Sequence, residues 1–199
     1  ESQTALTQFI TTTNRALANG SLNPQKGVTA IHGLLKSVAQ NADKFQGQPV
    51  NPEFSRQVST AVNTAMGSTV PNLLSAINEV MENPANANLP PPVLDVLPNG
   101  SFTIITGDAA ADDSFNKAFS NRINDALDAY AAANGMTREK AAPKFYNDFL
   151  RNYVTQDPEL EMLKGEELKI QSPRDARAAL DTGRITQREY DAILKSGFK

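Results

Sequence analysis

The sequence predicts a mainly α-helical protein: a helical bundle, a second helical unit and a C-terminal helical hairpin, with a short β-hairpin or extended proline-rich arm between the two larger units. Three observations support this fold class. Apolar residues recur at helical spacing over most of the 199 residues. Residues suited to capping helices stand before these segments. One stretch, 83–108, combines several prolines with strand-like runs. The predicted units are 1–88, 89–107, 108–156 and 157–199.

The composition is that of an ordinary folded protein, and it argues against several classes of function. Hydrophobic residues make up 40% and charged residues 21%, and the net charge of −3 gives no general attraction for nucleic acid. The absence of cysteine excludes disulfides, thiolate nucleophiles and cysteine-based zinc sites. No apolar run approaches the roughly 18 residues that a membrane helix needs, so we expect no stable membrane anchor. Because the sequence begins with Glu1, we expect a processed product or part of a longer chain.

The first unit, 1–88, is rich in Asn, Gln, Ser, Thr and Ala and poor in charge. Two helix starts use the same device, Asn23-Pro24 and Asn51-Pro52, in which asparagine caps the helix and proline takes the first helical position. A helix before these and another after Pro71 complete a predicted bundle of four. The apolar positions that define the four helices are Leu6, Phe9, Ile10 and Leu17; Val28, Ile31, Leu35 and Val38; Phe54, Val58, Ala61 and Ala65; and Leu73, Leu74, Ile77, Val80 and Met81.

The segment 89–107 carries the strand signal. Prolines 90, 91 and 92 cannot lie in a helix interior, so the chain must run extended there. The runs "VLDVL" and "SFTIIT" flank the turn formers Pro98, Asn99 and Gly100, which predicts a β-hairpin. An isolated two-stranded hairpin is marginal in water. We therefore expect either a linker or an arm whose order depends on a neighbouring molecule.

The second helical unit, 108–156, holds most of the aromatic residues, and we expect it to form a core of its own. Its first helix is predicted to end at Asn134-Gly135, a usual C-terminal cap. The two apolar stripes are Phe115, Phe119, Ile123, Leu127 and Tyr130, and then Phe145, Phe149 and Tyr153.

The final unit, 157–199, is rich in charges of both signs and ends in two well-capped short helices. Ser172 and Pro173 begin the first helix, which stops at Gly183. Thr186 and Glu189 form a capping box for the second, which runs to Gly197. Helices of two to three turns do not persist alone in water. The apolar side chains of this hairpin must therefore bury one another or bind a partner, and they are the candidate partner-binding residues: Leu180, Ile185, Tyr190, Ile193 and Leu194.

Catalytic candidates are few. His32 is the single histidine and lies beside the apolar stripe of its helix, which is typical of a packed or half-exposed side chain. Asp108 and Asp112 would share a helix face and could bind Mg²⁺ through their oxygens, although capping of a helix N-terminus explains them as well. No phosphate-binding glycine loop, zinc-protease or nucleophile-elbow motif is present. We expect neither catalysis, nor a cofactor, nor a small-molecule substrate.

Two stretches carry a resemblance to phage proteins. The segment "FNKAFSNRINDALDAYAAANGMTREKAAPKFYNDFL" resembles helical segments of the large internal virion, or DNA-ejection, proteins of tailed phages. The segment "SPRDARAALDTGRITQREYDAILKSGF" is similar to the C-terminal ends of phage structural proteins and to the short C-terminal oligomerisation hairpin of the SHOCT type. The matching positions of the latter are Leu180, Gly183, Ile185, Thr186, Glu189 and Tyr190, and the resemblance covers roughly the last 85 residues.

The resemblance implies a structural protein of the virion. Such proteins travel with the genome and assemble in many copies, with other virion proteins, into a tail or ejection conduit through which DNA passes without sequence-specific binding. Two alternatives from other classes stay open. One is a monomeric bacterial adaptor or effector-like module of the cytoplasm or periplasm that binds a protein partner. The other is a metal-dependent enzyme that uses Asp108 and Asp112.

Overall fold

The structure is a computed structural model that describes residues 2–154, 161–164, 172–181 and 187–196. Over these residues the protein is mainly helical with a small sheet, which confirms the predicted fold class, including the short hairpin. The first unit contributes three long helices and one short one: α1 (Gln3–Ala18), α2 (Pro24–Gln40), α3 (Ala42–Phe45) and α4 (Pro52–Met81).

The two predicted asparagine caps are confirmed. The side chain of Asn23 accepts hydrogen bonds from the backbone N–H groups of Gln25 and Lys26 at the start of α2. Asn51 accepts from Glu53 and Phe54 in the same way at the start of α4. In each case proline holds the first helical position, as the sequence pattern predicts.

The prediction of a new helix after Pro71 is wrong, because α4 runs through this proline without a break. A proline inside a helix removes one backbone hydrogen bond and costs about 3 kcal/mol. The buried stripe of α4 continues on both sides of it, through Met66, Val70, Leu73 and Ile77, and the burial of these side chains offsets that cost.

Phe9 also departs from its predicted place. The buried face of α1 is centred on Leu6 and Ile10, which are fully buried, whereas the Phe9 side chain is 56% exposed. Consecutive residues of an α-helix lie about 100° apart around its axis, so Phe9 points away from the face that Ile10 buries.

The proline-rich segment forms the predicted hairpin. After a short 3₁₀ turn (Pro84–Asn86), β1 (Val93–Val96) pairs antiparallel with β2 (Phe102–Ile105), and Val93 lies opposite Ile105. Gly100, with φ of +84°, supplies the left-handed conformation in the connecting turn. A third strand, β3 (Glu161–Lys164), pairs parallel with the other side of β1, so the strand order is β2-β1-β3.

The second helical unit consists of two long helices, each interrupted by a π-helical turn. The first comprises α5 (Ala109–Phe115), the π turn Asn116–Ser120 and α6 (Asn121–Ala133), which ends at the predicted Asn134-Gly135 cap. The second comprises α7 (Arg138–Phe145), the π turn Tyr146–Leu150 and α8 (Arg151–Val154).

The expectation of a separate second core is wrong, since helices from both units enclose one continuous cluster of buried side chains. Helix α6 packs against both α2 and α4, and the end of the last long helix also meets α4. The aromatic stripe of Phe145, Phe149 and Tyr130 therefore joins the core that the first unit builds. Long apolar stripes on both units have more surface to cover than either unit covers alone.

The hairpin belongs to the same core. Leu94, Phe102 and Ile104 are buried members of the common cluster, and the rings of Phe102 and Phe145 lie 6.0 Å apart. The expectation of an arm that depends on a neighbouring molecule is therefore corrected, because the chain itself covers the inner face of the hairpin.

The C-terminal residues form α9 (Pro173–Asp181) and α10 (Gln187–Ser196), which contact each other. None of the helices in the described part of the chain combines the length and the apolar character that crossing a bilayer demands.

Candidate interaction site

The C-terminal hairpin, formed by α9 and α10, is the candidate interaction site. Its first helix starts as the sequence predicts: the Ser172 hydroxyl accepts a hydrogen bond from the backbone N–H of Asp175 at 3.1 Å, and Pro173 is the first helical residue. The predicted stop at Gly183 and the predicted end at Gly197 lie outside the described residues, as does Thr186 of the predicted capping box.

The apolar candidates of the hairpin are incompletely covered. Leu180, Tyr190 and Ile193 are half-buried, and the Leu194 side chain is 42% exposed. Ile185 lies outside the described residues. Of the described candidates, then, none is fully buried, and the hairpin keeps apolar surface in contact with water.

One cation–π contact joins the two helices of the C-terminal hairpin, and one ion pair lies within its first helix. The guanidinium of Arg177 on α9 lies 6.0 Å from the centre of the Tyr190 ring on α10, a cation–π distance. The same guanidinium contacts the Asp181 carboxylate, one turn along α9, at 3.2 Å. Ala176 is fully buried yet does not belong to the main core cluster. The two helices of the C-terminal hairpin contact each other.

The charges on the hairpin surface alternate in sign. Exposed cationic residues stand close to exposed aspartates along both helices: Arg174, Arg177, Arg188 and Lys195 beside Asp175, Asp181 and Asp191. A surface that carries both signs can place its acidic positions opposite the basic positions of another surface of mixed charge.

His32 lies at the junction of three helices. Its Nε2 is 2.9 Å from the hydroxyl of Thr69, which is buried on α4, and Arg122 of α6 lies near enough for its charge to act on the ring. Burial, followed by the charge of Arg122, lowers the pKa of His32 to about 4. This is a half-buried histidine that packs between helices, as its position beside the apolar stripe predicts.

The carboxylates of Asp108 and Asp112 accept hydrogen bonds from different groups. Asp108 caps α5, since its carboxylate accepts from the backbone N–H groups of Ala110 and Ala111. Asp112 accepts from both the backbone N–H and the hydroxyl of Thr106, at 2.7 and 2.6 Å. Within the described ranges, no three acidic, histidine or cysteine side chains gather as a metal site would require.

An open cavity of about 710 Å³ lies between the α3 region and the junction of α6 with α7. Asp128 and Arg138 stand in its wall, where the guanidinium binds both carboxylate oxygens at 2.5 and 2.6 Å. The third guanidinium nitrogen donates to the Ser101 hydroxyl at 2.6 Å, beside the turn that joins β1 and β2. The hydrogen bond with Asp128 raises the pKa of Arg138.

This ion pair has a structural role, because the Arg138 guanidinium joins Asp128 of α6 to Ser101 beside the turn of the β-hairpin. No local pattern in the sequence predicts it, since ten residues separate the two charges and they lie on different helices. Comparison of the chain with protein-family models, with curated proteins and with solved structures finds no match.

Proposed function

We propose that this protein is a structural component that associates with further copies of itself through its C-terminal hairpin. The observation that carries the proposal is the incomplete burial of Leu180, Tyr190, Ile193 and Leu194 on two short helices. Full burial of such a side chain is worth about 1.5–3 kcal/mol, so a partner that covers this face gains binding energy.

The lengths of the two helices support the proposal. They contain 9 and 10 residues, and isolated helices shorter than about 12–15 residues are marginal in water. A matching apolar face from another subunit stabilises them by removing that surface from water. The exposed charges of both signs on the two helices are compatible with a second copy of the chain, since acidic positions of one copy can approach basic positions of the other.

The resemblance to phage proteins supplies the proposed context. The hairpin sequence is similar to oligomerisation hairpins and to the ends of phage structural proteins, and the preceding helices resemble those of DNA-ejection proteins. We therefore propose a place in the virion, in a tail or ejection conduit built with other virion proteins. The charge-poor helices of 1–88 suit such a conduit, because a lining of few charges does not hold passing DNA.

The test is sedimentation velocity of the full chain and of the double variant Tyr190→Ala/Ile193→Ala. We expect the wild type to associate. The variant should have a dissociation constant at least about tenfold higher, because it loses part of two apolar contacts at the interface. Circular dichroism checks that the other helices stay folded.

A matched control removes exposed apolar side chains elsewhere. Phe9→Ala/Ile105→Ala removes one aromatic and one isoleucine side chain from α1 and β2, where these side chains are 56% and 45% exposed. This control should associate as the wild type does. A wild type that stays monomeric at every concentration contradicts the proposal and favours a monomeric adaptor that binds a different protein.

A further inference from the structure

The outer edge of β2 is covered by side chains of the helix that follows it. Because β2 lies at one end of the strand order, no strand among the described residues pairs with the backbone groups that it directs away from β1. These groups belong to alternate residues: Phe102, Ile104 and, just beyond the strand, Thr106.

Side chains form the hydrogen bonds that a neighbouring strand would form with these backbone groups. The Asn124 amide accepts from the N–H of Phe102 at 2.8 Å and donates to the carbonyl of the same residue at 3.2 Å. Asn116 repeats this pair at Ile104, at 2.9 and 3.0 Å. The Asp112 carboxylate accepts from the N–H of Thr106 at 2.7 Å. Each asparagine therefore offers the donor and the acceptor that one residue of an antiparallel neighbour would offer.

The π turn helps to align these side chains. Residues eight apart in a straight α-helix differ by about 80° in direction around the axis. Asn116 and Asn124 are eight apart, and the π turn Asn116–Ser120 lies between them. Since a π turn has more residues per turn than an α-helix, it reduces this difference and brings both amides toward β2.

Asn116 is also held from within its own helix. Its oxygen accepts from the Ser120 hydroxyl at 2.7 Å, and its nitrogen donates to the backbone carbonyl of Asp112 at 2.8 Å. Such a side chain has one orientation in which all its hydrogen bonds are formed, so it meets the strand already positioned.

We propose that Asp112, Asn116 and Asn124 form an edge cover that keeps β2 closed to strand addition from other copies of the chain. The strand needs such protection, because Phe102–Ile105 is uncharged and rich in β-forming residues, which is the composition of strands that pair between molecules. The edge cover goes beyond the proposed function, which places self-association in the helical hairpin and not in the sheet.

The test removes the edge cover in a chain whose C-terminal helical hairpin also carries substitutions that weaken its association. The variant Asn116→Leu/Asn124→Leu is made in the Tyr190→Ala/Ile193→Ala background, in which association through the C-terminal helical hairpin is weakened, so association beyond that of the background comes from the uncovered strand. Leucine keeps the number and the branching of the side-chain heavy atoms of asparagine without its hydrogen-bonding groups. Asn121→Leu in the same background is the control, since Asn121 is exposed on the same helix and its side chain bonds to the carbonyl of Lys117 in that helix.

In dilute solution, we expect the N–H groups of Phe102 and Ile104 to exchange with deuterium about tenfold faster than in the control, as the loss of a hydrogen bond implies. At high concentration the sedimenting mass should rise, the infrared signal of intermolecular strands should appear, and the exchange of the same two groups should slow. A folded variant that keeps the mass of the control at every concentration overturns the proposal. The proposal is also overturned if the helical circular dichroism signal is lost both in Asn116→Leu/Asn124→Leu and in Asn116→Ala/Asn124→Ala. The two asparagines would then be required for folding and not for protection of the strand edge.

Discussion

The imidazole of His32 and the hydroxyl of Thr69 lie 2.9 Å apart across the contact between α2 and α4. The pKa of His32 in the folded protein is about 4, below the ordinary value of 6.5, so folding favours the neutral ring. This contribution to stability is fully present above pH 6.5 and is lost as the pH falls toward 4. We therefore expect the free energy of unfolding to decrease with acidification through this window.

The measurement is urea denaturation at a series of pH values for the wild type and for His32→Gln, which cannot titrate there. The wild type should lose stability more steeply than the variant between pH 6.5 and 4. Parallel curves for the two proteins would contradict the burial of a neutral histidine. Because we assign no catalysis to His32, a hydrolytic activity that this substitution abolished without unfolding the chain would contradict that assignment.

Adjacent residues of β2 should differ sharply in their effect on stability. Ile104 is buried in the common core, whereas Ile105 is 45% exposed on the opposite face of the strand. We expect Ile104→Ala to lower the free energy of unfolding by about 2–5 kcal/mol. Ile105→Ala should change it by about 0.5 kcal/mol or less, as surface substitutions do. Equal and small losses for both, measured by urea denaturation, would show that the hairpin does not pack on its own chain.

Two glycines of α2 provide a second matched pair. A Cβ at Gly33 meets nothing within 4 Å, so Gly33→Ala should stabilise the helix by about 0.5–1 kcal/mol. A Cβ at Gly27 would lie 2.0 Å from the end of the Leu17 side chain on α1, so that side chain must move. We expect Gly27→Ala to be less stable than Gly33→Ala, by thermal unfolding. Leu17→Ala should narrow the difference between them, and a difference that persists in this background would show that the clash lies elsewhere.

Asp108 should behave as a helix cap. Asp108→Ala removes the acceptor for two N–H groups of α5 and should cost about 0.5–2 kcal/mol of stability. Excess Mg²⁺ should leave the unfolding temperature of the wild type unchanged. A ligand raises this temperature only if it binds the folded state, and we expect the Asp108 carboxylate to cap α5 and not to bind a metal. A rise in that temperature with Mg²⁺ that Asp108→Asn removed would instead support the metal-dependent enzyme alternative.

The local elements of this protein can be predicted from its sequence. Asn23-Pro24 and Asn51-Pro52 begin helices, and Pro98, Asn99 and Gly100 form the hairpin turn. The physical reason is that capping and turn formation depend on residues within a few positions of one another. In the candidate site, the Ser172 cap and the two short helices follow from the same short-range signals.

Only the tertiary structure decides how these elements meet. Three features depend on contacts between distant residues. Helix α4 continues without a break at Pro71, both helical units share one core, and the β-hairpin packs on its own chain. The same is true of the Asp128–Arg138 pair and of the edge cover, in which Asn116 and Asn124 bind a strand that precedes them by a dozen residues or more. Such contacts form when burying apolar surface outweighs local preference, a balance set by the whole fold and not by any one segment.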